Sequence, residues 1–274
     1  MILACDPRAH PRRGGGLVHV DGRERGGQRV LVIRPRGVGG DAHKRQVADV
    51  DLDGAHRFGE ALGADSVPHE IEAIGRRSLG VEGDLTQAAA ARHLVERTLA
   101  TFGRLDVLVN NAGGALTPVE RSLASEAPPE DLLAMWDVNL MTAVHCCQAA
   151  MPALRRSGAG SVVNLASRAA LNPAQRDGKL APYGISKMAV VGYTRYLAAE
   201  VGPDGVRVNV VAPGLITTAR IRAQAAARGI GTDGEIPRIP LRRLGTPADI
   251  ANAVLFLASD ASAYVTGQCL SVCG

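Results

Sequence analysis

The sequence predicts an α/β fold, one domain built on a single doubly wound parallel sheet with helices on both faces. From about Val47 onward, short β-rich apolar runs alternate with longer amphipathic stretches, which is how repeated βαβ units read. Hydrophobic residues make up 46% of the chain and aromatics only 3%, so the core is built from Ala, Val, Leu and Ile, which suits helices packed on a parallel sheet. No internal repeat or low-complexity linker divides the 274 residues, so one domain is the simplest reading.

In chain order, residues 1–14 read as an atypical N-terminal extension and 15–274 as the domain, with 15–46 departing from the pattern of the rest. Strands are expected at Val47 to Asp51, Ser78 to Glu82, Leu105 to Asn110, Ser161 to Leu165, Val206 to Val211 and Cys269 to Val272. Between them, helices are expected at Gln87 to Phe102, Pro129 to Arg156, Pro182 to Val201 and Pro247 to Ala258. The last has the clearest start, because Thr246 can cap it, Pro247 suits the first helical position and Asp249 complements the positive end. Right-handed crossovers then place helices on both faces. Ligands bind such sheets beyond the carboxyl ends of the strands, so residues just after each strand become the functional candidates.

Composition excludes several classes. No apolar run reaches the roughly 18 residues needed to span a bilayer, and the N-terminus lacks a charged-then-apolar signal pattern, so a cytoplasmic protein with no membrane partner is expected. Cys5, Cys146, Cys147, Cys269 and Cys273 show neither CxxC spacing nor a companion His cluster, which argues against zinc, any other metal centre and a disulfide framework. Of the 31 Lys/Arg and 27 Asp/Glu, the first 47 residues hold ten and four, so the net charge of +4 comes from that segment and the remainder is near balance. The basic segment lacks an aromatic-interleaved or helix-turn-helix pattern, and no nucleic-acid partner is expected.

Three motifs follow strands. Asn110-Asn111-Ala112-Gly113 ends the third strand, and its small residues let the backbone approach a flat ligand, although a plain turn reads the same way. Ser167 follows the fourth strand, and sixteen residues later Tyr183-Gly184-Ile185-Ser186-Lys187 opens a helix, placing Tyr183 and Lys187 on one face. Singly, these three have ordinary readings as a strand end, a helix flank and a solvated surface cation. Ala212-Pro213-Gly214-Leu215-Ile216-Thr217-Thr218 follows the fifth strand as a rigid turn where a ligand's far end can rest.

In this order, the Asn-Asn-Ala-Gly turn, the Ser with its Tyr-x-x-x-Lys pair and the Pro-Gly turn resemble the short-chain dehydrogenase/reductase family over roughly Val47 to Gly274. Pro240 to Pro247, Phe256 to Asp260 and Val265 to Gln268 are also similar to the family's C-terminal part, most of all in its 3-oxoacyl-carrier-protein-reductase-like members. The resemblance implies a Rossmann-like NAD(P)-dependent oxidoreductase that moves a hydride between a nicotinamide and a ketone/secondary alcohol, with Tyr183 as acid/base beside Ser167 and Lys187. Asn139, in Trp136-Asp137-Val138-Asn139-Leu140, would be the fourth catalytic member, holding a water that relays protons to Lys187; its plainer reading is a helix-interior Asn bonded to nearby backbone. Cofactor contacts are implied at Asp84-Leu85, at Asn111, Ala112 and Gly113, at Tyr183 and Lys187, and at Pro213, Gly214, Ile216 and Thr218. For Asp84 the plainer reading is a helix cap before Thr86. A homotetramer or homodimer is implied through the helices around Met135 and Tyr183 and the C-terminal strand.

The residue types suit that chemistry. Hydride transfer to a carbonyl carbon leaves negative charge growing on oxygen, so the site needs a hydrogen-bond donor and a proton source, roles that Ser167 and Tyr183 can fill. A free phenol titrates near pH 10, but an ammonium one helical turn away favours the phenolate and brings it toward neutrality. Positioned acid/base catalysis of this kind gives a factor of about 10² to 10⁴.

The cofactor end departs from the family. A glycine-rich turn should follow the first strand. The preferred candidate is Leu17 to Val20 followed by Gly22 and Gly26; the other is Gly37-Val38-Gly39-Gly40. From Gly26 to Asp49 is 23 positions, enough for a helix and a strand, whereas Gly39 to Asp49 leaves ten. Asp49 matches the acidic residue that bonds the ribose hydroxyls and repels a 2′-phosphate, which favours NAD(H) over NADP(H). The degraded turn supports one rival, a catalytically weak or inactive family member acting as a binding or oligomeric partner. Polar Gln175 to Lys179 reads as a small insertion at the substrate rim, and Arg220, Arg222 and Arg228 read as a solvated helix face before they read as an anion clamp. The substrate is a small carbonyl or alcohol of unspecified identity.

Overall fold

The computed structural model describes residues 2–5, 28–33, 46–47, 79–173, 178–218 and 235–274. In chain order its strands are β1 (Ile2–Cys5), β2 (Gln28–Ile33), β3 (Gln46–Val47), β4 (Val81–Glu82), β5 (Val107–Asn110), β6 (Ser161–Leu165), β7 (Arg207–Pro213) and β8 (Cys269–Val272). The helices are α1 (Ala88–Phe102), α2 (Pro129–Trp136), α3 (Thr142–Ser157), α4 (Ala181–Val201) and α5 (Pro247–Ala258). A π-turn, Asp137–Met141, joins α2 to α3 within the stretch expected as one helix.

The main sheet runs β1-β2-β5-β6-β7-β8. Its last five strands are parallel, with Val109 beside Val163 and Val163 beside Asn209. β1, from within the expected extension, adds an antiparallel edge strand. β3 and β4 form a separate antiparallel ribbon, so the strand expected at Ser78 to Glu82 is a short partner of Gln46–Val47 and not a member of the main sheet. The strand beside β5 is Gln28–Ile33. Leu17 to Val20, expected to open the domain, lies outside the described residues, as do Ser78 and most of the strand expected at Val47 to Asp51.

Strands covered on both faces bury every residue, and all five positions of β6 are buried. Leu108, Val162, Val163, Val208, Val210 and Val211 are fully enclosed, each contributing about 1.5 to 3 kcal/mol by its removal from water. Polar side chains in this core bond one another: Asn110 Nδ2 donates to Asn164 Oδ1 at 2.8 Å, and Asn164 Nδ2 donates to Thr194 Oγ1 of α4 at 2.8 Å. Asn110 Nδ2 also reaches Cys147 Sγ of α3 at 3.2 Å.

These bonds identify the covered faces. Side chains three apart on a strand point to opposite sides. Asn164 faces α4, while Ser161 donates to the Leu257 carbonyl of α5 at 3.0 Å, so α4 and α5 lie on opposite faces and α3 shares the face of α4. The strands advance in one direction from β5 to β8, so the connection through α5 has the opposite hand to those through α3 and α4. That corrects the expectation of uniformly right-handed crossovers. The rule belongs to tight strand–helix–strand units, and the connection over 214–268 is not one.

α5 begins as the sequence suggests, with a capping box: Asp249 N–H donates to Thr246 Oγ1 at 3.3 Å and Thr246 N–H donates to Asp249 Oδ2 at 2.7 Å. Among the described residues, no helix is long and apolar enough to cross a membrane.

Candidate active site

The carboxyl ends of β5, β6 and β7 open on a cavity of about 500 Å³ whose wall includes Gly114, Ser167, Tyr183, Pro213, Gly214 and Thr218. Ser167 stands two residues past β6 in extended backbone, and its Oγ accepts the Ala169 N–H at 3.2 Å, starting a 3-10 turn over Arg168–Ala170. Tyr183 lies in the first turn of α4 and Lys187 one turn deeper.

Lys187 is only 4% exposed. Its Nζ donates to the Leu165 carbonyl at 2.8 Å, at the end of β6, and sits 6.0 Å from the centre of the Tyr183 ring. Burial disfavours the charged ammonium and lowers its pKa from 10.5 to about 8. Ser167 and Tyr183 thus form cavity wall, with a buried cation behind the ring.

The start of α4 is unusual. Its cap is Leu180, in left-handed backbone at φ 64° and ψ 30°, with no side-chain cap of its own. That conformation costs a non-glycine residue about 1–2 kcal/mol. It is held by Ser122, from the loop between β5 and α2: the Leu180 N–H donates to Ser122 Oγ at 2.9 Å and the Ala181 N–H to the Ser122 carbonyl at 2.8 Å. The Ser122 hydroxyl donates onward to the Val119 carbonyl at 2.6 Å. Neighbouring Arg121 pairs at 3.0 Å with Asp131 in the first turn of α2.

The turn after β5 shows why glycine stands at 113. Its φ is 120°, and a Cβ there would run into Asn139 Oδ1. Asn139, 1% exposed in the π-turn, accepts the Gly114 N–H at 2.8 Å and donates to the carbonyls of Met135 at 3.0 Å and Gly114 at 3.2 Å. Its amide therefore ties the turn to the helix.

The other expected contacts are distributed as follows. Asp84 Oδ1 accepts the N–H and hydroxyl of Thr86 at 3.0 and 2.7 Å, a local turn. The Leu85 side chain is core, and its carbonyl lies 3.1 Å from His145 Nδ1. Asn111 and Ala112 are half-buried just past β5. Pro213 ends β7, and Gly214 packs so closely on the C-terminal strand's exit that a Cβ would come 2.8 Å from Cys273 Cα. Ile216 bridges to Gly245, and Thr218 reaches the cavity. Gly22, Gly26, Asp49, Arg220, Arg222 and Arg228 lie outside the described residues. Sequence reasoning missed Ser122 and Leu180. Neither carries a motif, and they meet across 58 positions.

The profile of the family described as Enoyl-(Acyl carrier protein) reductase matches residues 54–274. The chain is 36% identical over 267 residues to the cyclohexanol dehydrogenase of Rhodococcus sp. (strain TK6), covering 95% of each. It is 34% identical over 213 residues to the 3-oxoacyl-[acyl-carrier-protein] reductase FabG of Staphylococcus epidermidis, covering 77% of this chain and 82% of that one. A 7 alpha-hydroxysteroid dehydrogenase complexed with NADH and 7-oxo glycochenodeoxycholic acid superposes with a TM-score of 0.67 at 28% identity, over 89% of this chain and 83% of that one. ElxO with NADP bound superposes with a TM-score of 0.64 at 31% identity, over 70% and 75%.

Proposed function

The chain belongs to the short-chain dehydrogenase/reductase family, an NAD(P)-dependent oxidoreductase moving a hydride between a nicotinamide and a ketone/secondary alcohol, and on that premise we propose that Tyr183 is its acid/base. The observation that carries this reading is the buried Lys187 ammonium 6.0 Å from the Tyr183 ring, while Tyr183 shares a cavity wall with Ser167. The cavity suits a nicotinamide ring, with open space of about 500 Å³ beside two hydroxyls and the Pro213-Gly214 turn. When bound, that group supplies or accepts the hydride.

The protein's part is proton handling. Tyr183 gives its hydroxyl proton to the carbonyl oxygen as negative charge grows there, and takes it back in the oxidation direction. Ser167 donates a hydrogen bond to the same oxygen. Lys187 favours the phenolate. Asn139 is the fourth catalytic member, holding a water that relays protons to Lys187.

Asp84, Leu85, Asn111, Ala112, Gly113, Pro213, Gly214, Ile216 and Thr218 contact the dinucleotide, and Asp49 favours NAD(H). Of the two candidate pyrophosphate turns, Gly37 and Gly39 follow the strand beside β5, Gln28–Ile33, while Gly22 and Gly26 leave room for a helix and a strand before Asp49, which the ten positions after Gly39 do not. Alanine, leucine and methionine in the wall, at Ala115, Ala124, Leu180 and Met188, suit a mid-sized apolar ketone or alcohol. Exposed Leu133 and Trp136 on α2 and Ile185 and Met188 on α4 support a homo-oligomer, read by light scattering. The unpaired thiols Cys146 and Cys147 suit the reducing cytoplasm.

Titration with NADH and NADPH, followed by nicotinamide fluorescence, tests the reading. Tighter NADH binding is expected. Binding of neither nucleotide would leave the inactive-partner reading in its place.

A further inference from the structure

We propose that Ser122 is a positioning residue of the reaction, fixing the first turn of α4 and with it the stand of the Tyr183 hydroxyl in the cavity. The proposal rests on the reading of Tyr183 as acid/base.

Tyr183 is the third residue of its helix, in the turn whose N–H groups have no partners within the helix. Such turns fray unless something holds them. Leu180 has no side-chain oxygen to offer, and it sits in backbone that a leucine keeps only when its surroundings over-determine it. Ser122 supplies two of the bonds that hold it. Ser122 takes the Leu180 amide on its hydroxyl and the Ala181 amide on its carbonyl, and Pro182, next in line, has no N–H to satisfy.

Ser122 is 0% exposed, so these bonds do not exchange with bulk water. It is fixed in turn, because its hydroxyl donates to Val119 and its neighbour Arg121 pairs with Asp131. The same loop gives Ala115 and Ala124 to the cavity wall, so the segment that shapes the substrate's berth also sets the helix that meets the substrate.

Lys187 does not depend on this latch. It is one turn deeper and anchored to Leu165. Loosening the first turn therefore displaces Tyr183 relative to Lys187. A misplacement of about 1 Å in a reacting geometry costs up to about 10²-fold in rate.

The test compares Ser122→Ala and Ser122→Thr in the full chain, by steady-state kinetics and by amide hydrogen exchange of peptides spanning 179–187. Ser122→Ala should lower kcat by about 10- to 100-fold, the scale of such a displacement. KM and NADH affinity should stay near those of the parent, and exchange should speed up only in the first turns of α4. Ser122→Thr, which keeps the oxygen, should restore both. Parental kcat in Ser122→Ala, unchanged exchange over 179–187, or exchange raised through the whole molecule with kcat intact would each overturn the proposal. Normal turnover by Tyr183→Phe would instead remove the acid/base role on which the kinetic arm rests, while the exchange arm still reads the latch.

Discussion

Two helices of this molecule begin in opposite ways. α5 carries its own start: Thr246 and Asp249 bond each other's amides, Pro247 fits the first turn, and Arg243 grips Asp249 at 2.8 and 2.9 Å. α4 begins on a left-handed leucine and depends on a serine 58 positions upstream. It also buries an ammonium. The helix that only packs is locally self-sufficient, whereas the helix that carries Tyr183 and Lys187 is held from outside. Strain and buried charge gather where chemistry needs fixed groups, and they are tolerated because the surroundings over-determine them.

The sharpest way to break that contrast is Tyr183→Phe. It should keep nicotinamide binding and lose about 10²- to 10⁴-fold in turnover, since only the proton source goes. Near-parental kcat would make α4 as ordinary as α5.

Next is Lys187→Met. Burial holds the ammonium near 8 against an ordinary 10.5, so between those values the unfolded chain binds the proton and the folded chain releases it. Stability of the cofactor-free chain should therefore rise from pH 8 to 10.5 and level off below 8, where both states hold the proton. The methionine variant should lose this dependence, unfold about 3 kcal/mol later in denaturant at pH 7, and turn over poorly. A variant weaker than its parent at pH 7 would mean the Leu165 bond outweighs the desolvation.

On the α5 side the effects are smaller and leave catalysis alone. Thr246→Ala should cost about 1 kcal/mol in a denaturant midpoint with kcat unchanged. The Arg243 guanidinium, with the Thr246 amide, holds the Asp249 carboxyl well below the usual carboxylate range. Its contribution is present above that range and lost as pH falls beneath it. Arg243→Gln should move the acid limb of a thermal-melt series slightly upward, and an unmoved limb would show the pair to be screened.

The same contrast sorts what the sequence made legible. Strands at Ser161–Leu165 and Cys269–Val272 and the helix Pro247–Ala258 read directly, because their signals are local: apolar runs, a capping pair, a proline in the right place. Ser167 and Tyr183 could be placed together because each follows a strand of one sheet. What did not read was long-range. Leu180 looks like no cap, and Ser122 looks like any loop serine. The face taken by α5 depends on packing that no spacing encodes. The strand Gln28–Ile33 went unread because it leads into Arg34-Pro35-Arg36, which conceals a strand end that a threonine and glycine would have marked.

The widened turn at Asp137–Met141 sets the phase of everything after it. Asp131, Met135, Asn139, Ala143, Cys147 and Met151 are all buried, a stripe that recurs every four residues. In a regular helix of 3.6 residues per turn, such a stripe slides about 40° around the axis at each step and would have wound to the far side by Met151. One extra residue in a single turn rewinds it by about 100°, so both the asparagine that clasps the Gly114 backbone and the cysteine beneath Asn110 can point at the sheet. Deleting one residue from that turn would leave a perfectly good helix with its inner and outer sides rotated out of alignment.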